Sequence, residues 1–84
     1  MIYSNSFADD HDEAYELMQS GEILPLETIL EITRKQVHGR VLEVELESED
    51  KRLIYELEVL DQKGVVWELK VDAKTGSVIE KEQD

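Results

Sequence analysis

At Gly39 the hydrophobic period of this chain changes, and that switch limits what it can fold into. Beyond the glycine, Leu42, Val44 and Leu46 alternate with Glu43, Glu45 and Glu47. Leu53, Tyr55, Leu57 and Val59 then alternate with Ile54, Glu56, Glu58 and Leu60. A third run sets Val65, Trp67, Leu69 and Val71 against Val66, Glu68 and Lys70, and Ser77 to Glu80 makes a short fourth. Successive side chains on a strand point to opposite faces, so period two predicts strands with one buried and one wet face, as in an antiparallel sheet.

Upstream of Gly39 the spacing is helical. Ala14, Leu17 and Met18 stand at i, i+3 and i+4, with Asp9 or Asp10 as N-cap and Gly21 as the stop. Leu26, Ile29, Leu30, Thr33 and Val37 form a second stripe, with Pro25 where a first turn tolerates it. The expected fold is therefore α+β: two N-terminal helices packed on one face of a four-stranded antiparallel β-meander.

Parity restricts the turns, because cross-strand partners share a face. The core positions of the first strand are even and those of the second odd, so the first loop holds an even number of residues. Pairing Leu46 with Leu53 places Glu47 opposite Arg52 and Glu43 opposite Glu56. Gln62, Lys63 and Gly64 suit a three-residue loop with Gly64 left-handed, which pairs Val59 with Trp67 and Glu56 with Lys70. At the last turn a four-residue loop, Ala73 to Gly76, pairs Val71 with Val78 and leaves Asp72 at the strand end to cap the loop.

Eighty-four residues form one small domain, and with no cysteine the core holds by packing alone. Twenty-one acidic against nine basic residues give a formal charge of -12. Such a surface repels phosphate backbones and anionic lipid, which argues against nucleic acid and membrane as partners and leaves cationic proteins or metal cations. No apolar run is long enough to span a bilayer. Ser6 and Ala8 fit the -3 and -1 positions of a signal-peptidase site, so residues 1–8 read as the remnant of an export signal or a disordered N-terminus, and 9–84 as the domain.

The segments Gly39-Arg40-Val41, Val44-Glu45-Leu46-Glu47, Tyr55-Glu56-Leu57-Glu58-Val59, Asp61 with Gly64, and Val71-Asp72-Ala73-Lys74-Thr75-Gly76-Ser77-Val78 resemble the PepSY domain. The resemblance runs from about Leu26 to the end, and its most specific piece is the V-D-A-x-T-G-x-V ending. Gly39, Tyr55, Gly64, Asp72, Thr75 and Gly76 match the family pattern. Two positions depart: His38 stands where proline often precedes the glycine, and Glu49-Asp50-Lys51 lacks the Asp-Gly common in the first hairpin. The resemblance implies a small sheet on one or two helices, found in exported or envelope-associated bacterial proteins and in some metallopeptidase propeptides. It further implies a non-catalytic binding or inhibitory module, whose partner is a peptidase or an envelope sensor. No peptidase follows in this chain, so inhibition would act in trans.

Read for chemistry, Asp72 and Thr75-Gly76 lack the contiguous Asp-Thr-Gly of a protease dyad and are read, with Gly39 and Gly64, as structural turns. His11 and His38 have no nucleophile or zinc spacing beside them. If the chain is cleaved after Ala8, then Asp9, Asp10 and His11 supply an amino-terminal nitrogen set suited to Cu(II) or Ni(II), and a small metal-responsive periplasmic protein is the alternative function. The leading expectation is a non-enzymatic, periplasmic or secreted protein-binding module, a monomer or weak dimer with no cofactor. Its candidate docking surface is the acidic sheet face: Glu43, Glu45, Glu47, Glu56, Glu58 and Glu68.

Overall fold

In the computed structural model, Glu16 and residues 20–84 are described. Among them stand one helix, α1 (Leu26–Gln36), and four strands, β1 (Gly39–Glu49), β2 (Arg52–Asp61), β3 (Val66–Asp72) and β4 (Val78–Gln83). The strands form one antiparallel sheet in the order β1-β2-β3-β4. The two-helix expectation is thereby corrected. Of its first helix, over Ala14 to Met18, Glu16 alone is among the described residues, and one short helix, α1, covers the sheet. Directly before α1 the chain is not helical: Gly21 has φ +81°, Ile23 is buried in the core, and the Leu24 N–H donates to the Ala73 carbonyl at 2.7 Å.

Pro25 is the N-cap rather than a first-turn residue, and its carbonyl accepts from the amides of Thr28 and Ile29. Glu27 in the first turn and Arg34 and Lys35 in the last complement the helix dipole. Ile29 and Thr33 are the buried positions of α1, and the Thr33 hydroxyl donates to the Ile29 carbonyl, which satisfies a polar group in the core. Leu26 of the expected stripe stays exposed.

Two apolar clusters lie between α1 and the sheet. Ile23, Ile29, Tyr55, Leu57, Val71 and Ala73 make one; Val37, Val59 and Leu69, with Trp67 and Val78 against them, make the other. Burial in water-excluded contact is the main favourable contribution to a domain of this size. Gly39 enters the sheet beside Asp61, and a Cβ there would run into the Leu60 carbonyl oxygen, so glycine is required by close backbone approach.

The first hairpin departs from expectation. Glu49 pairs with Arg52, Ser48 with Leu53 and Leu46 with Tyr55, so the loop holds two residues, Asp50 and Lys51, rather than four. Both have positive φ, +50° and +66°, the conformation of a tight type I′ turn. A bulge between Val41 and Glu43 adds a further change. Val41 pairs with Val59 while Leu42 is the extra residue, 44% exposed rather than in the core. In the second hairpin Val59 faces Trp67 and Glu56 faces Lys70, as expected. In the third, Val71 pairs with Val78, and a second bulge follows at Ile79 before Lys70 meets Glu80.

Lysine at a left-handed turn position costs about 1–2 kcal/mol relative to an unstrained backbone. The double substitution Asp50→Asn and Lys51→Gly supplies the residues that this turn favours. Urea denaturation is expected to show a gain of about 1 kcal/mol; an unchanged or lowered midpoint would contradict the turn assignment.

Candidate functional site

The wet face of the sheet follows from the observed register. Glu43 on β1 faces Glu58 on β2, Glu58 faces Glu68 on β3, and Glu68 faces Glu82 on β4. One glutamate per strand thus forms a row of four across the sheet. The neighbouring row is Glu45, Glu56, Lys70 and Glu80. Glu43 therefore opposes Glu58 rather than Glu56, and Glu47 opposes Ile54 rather than Arg52. The bulge at Ile79 turns Glu80 and Glu82 onto this face, which the simple alternation did not disclose.

Cations relieve only part of the face. Lys70 donates to Glu49 at 3.0 Å and lies 3.9 Å from Glu56; its hydrogen bond and attraction to Glu49 raise its pKa. Among the described residues no ion pair reaches the row of four. Glu58 has a raised pKa, first because it is desolvated and then because Glu43, Asp84, Glu68 and Glu56 repel its charge. Glu82 is raised by a hydrogen bond with Glu80 and by the charge of that neighbour. Two carboxylate triads, Glu45-Glu47-Glu56 and Glu58-Glu68-Asp84, have oxygens within 4.8 Å of one another. Asp9, Asp10 and His11, the amino-terminal metal set, lie outside the described residues.

The Asp72-to-Gly76 stretch is built as a turn. One carboxylate oxygen of Asp72 accepts from the amides of Lys74 and Thr75 at 2.8 and 3.0 Å, and the other from Arg52 Nε at 2.8 Å. Asp72 is 6% exposed, and the Arg52 bond leads the causes that lower its pKa. Gly76 has φ +81°, and its amide donates to the Asp72 carbonyl. The Thr75 hydroxyl oxygen accepts from the Ser77 amide at 3.2 Å. The second hairpin uses the same device. Asp61 accepts from the amides of Lys63 and Val65 and from Trp67 Nε1, contacts that lower its pKa, the Trp67 bond foremost. Gly64 there has φ +84°. Tyr55 and Trp67 serve the core side: burial raises the Tyr55 pKa, and Lys81 Nζ lies 5.1 Å from the Trp67 ring centre.

With this geometry in place, comparison with known proteins identifies the class. The family model described as "Peptidase propeptide and YPEB domain", PepSY, matches residues 23–82. The chain belongs to the PepSY family. It is also 39% identical over 54 residues to the uncharacterized protein YkoJ of Bacillus subtilis (strain 168), an alignment covering 64% of this chain and 32% of that protein. The chain thus spans about a third of that relative's length. No solved structure matches.

Two charge substitutions test the site electrostatics. Asp72 has a lowered folded-state pKa, so its contribution is present above the ordinary aspartate value and is lost as pH falls through the folded value. Asp72→Asn should cost about 1 kcal/mol near neutrality, with the gap from wild type closing toward pH 2; a gap constant from pH 7 to 2 would refute the charge assignment. Glu58 has a raised pKa, so its contribution is favourable below the ordinary glutamate value and lost as pH rises. Glu58→Gln should raise the thermal midpoint at neutral pH in low salt, with a smaller gain in high salt. No gain at low salt would show that the glutamate row carries no net repulsion.

Proposed function

We propose that this chain is a non-catalytic binding module of the bacterial cell envelope that docks a cationic protein surface on its glutamate face. Membership of a family described by peptidase propeptides supports a peptidase as the partner, restrained in trans, or a sensory protein in its place. The observation that carries the reading is the Glu43, Glu58, Glu68 and Glu82 row. Like charges directly opposite one another destabilise a sheet. A partner presenting lysine or arginine relieves that repulsion on binding, so affinity and electrostatic relief have one source. Among the described residues no helix is long and apolar enough to cross a membrane, which suits a module acting at a protein surface.

The test is capture from a bacterial envelope extract, followed by hydrolysis assays on any captured peptidase. Reversal of Glu45, Glu58 and Glu68 to lysine should abolish capture, and raised ionic strength should weaken it, with peptidase activity restored in parallel. Capture that survives both treatments would exclude the glutamate face as the docking surface.

A further inference from the structure

The described residues include a groove of about 380 Å³ between α1 and the outer strand β1, on the helix side of the sheet. Leu30, Val37, Val44 and Val59 line it, with Arg34 and Arg40 contributing charge. Beside it Val41 and Leu42 are exposed, 37% and 44%. Residues 32–42 hold Arg34, Lys35 and Arg40 and no acidic residue, in a chain with 21 acidic residues. Among the described residues, neither Arg34 nor Arg40 forms an ion pair. At the same end, Lys81 donates to the Gln36 carbonyl at the close of α1. The groove therefore lies at a cationic end of an acidic molecule.

We infer that β1 accepts an added antiparallel peptide strand whose apolar side chains enter this groove and whose terminal carboxylate meets Arg34 and Arg40. Three features point to this occupant. β1 is the last strand of the sheet among the described residues, so its outer edge presents backbone groups to a further strand. The groove lies on the face where every second side chain of such a strand would project. An antiparallel strand ends beside the start of β1, where Arg40 stands, and Arg34 in the last turn of α1 lines the same groove. This surface is distinct from the glutamate face, and either can fail without the other.

The probe is an acetylated hexapeptide alternating serine with valine, valine last, made with a free carboxylate and as the carboxamide. Titration of the ¹⁵N-labelled chain should shift the amides of Val41 to Glu47 and slow hydrogen exchange along β1. The free acid should bind more tightly than the amide, and Arg34→Gln with Arg40→Gln should weaken the acid at least about threefold while sparing the amide. Absence of binding, or shifts confined to β3 and β4, would overturn the inference. Decanoate is the control for a simple carboxylate amphiphile. If decanoate fills the groove and the peptide gives no protection along β1, the site takes an amphiphile and the strand is excluded.

Discussion

The fold depends on the backbone of Ala73. Its amide donates to the Leu53 carbonyl at 2.9 Å, and its carbonyl accepts from Leu24 at 2.7 Å. One residue therefore ties the third turn to the start of β2 and to the chain entering α1. Alanine fits because the site is closed: it is fully buried, inside the cluster of Ile23, Ile29, Tyr55, Leu57 and Val71. Asp72 on one side holds the turn by accepting from Arg52 and two loop amides. On the other side Gly76 passes so close to α1 that a Cβ would press on the Ile32 and Leu24 side chains. The most family-specific string of the sequence is thus explained by what it joins.

That arrangement leaves the two faces of the sheet with different tasks. The helix side spends its residues on packing, and Val59, Leu69, Val71 and Leu57 are almost wholly buried there. The other side tolerates a row of glutamates that adds nothing to stability, because the opposite face supplies the core. Ile54 is the exception, buried on the glutamate side opposite Glu47 and Asp72 and outside both core clusters. A surface free of packing duties can carry charge for recognition.

Legibility in the sequence tracked the strength of local signals. The second and third turns each contain an aspartate that caps the loop and a glycine at positive φ, so Asp61 to Gly64 and Asp72 to Gly76 could be read with their pairings. The first turn has no such marker. Asp50 and Lys51 adopt positive φ without glycine, and parity allowed either two or four loop residues; Ser48, polar yet opposite Leu53, hid the shorter choice. The bulges at Leu42 and Ile79 leave no compositional trace, yet each breaks the alternation, so that residues before and after it no longer follow one parity. That is why simple alternation puts Leu42 in the core and leaves Glu80 and Glu82 off the expected acidic face. The glutamates of β1, β2 and β3 were legible as a set, but the row joining Glu43, Glu58, Glu68 and Glu82 required the register.

The most direct test of the Ala73 junction is native-state hydrogen exchange followed residue by residue. If the junction holds the fold together, the amides of Leu24, Ala73 and Asp72 exchange only through global unfolding, with the same free energy and denaturant dependence as the β2 core amides. Exchange of Leu24 and Ala73 through a low-energy local opening, while Leu57 and Leu69 remain protected, would show that the sheet stands without the junction and contradict the account.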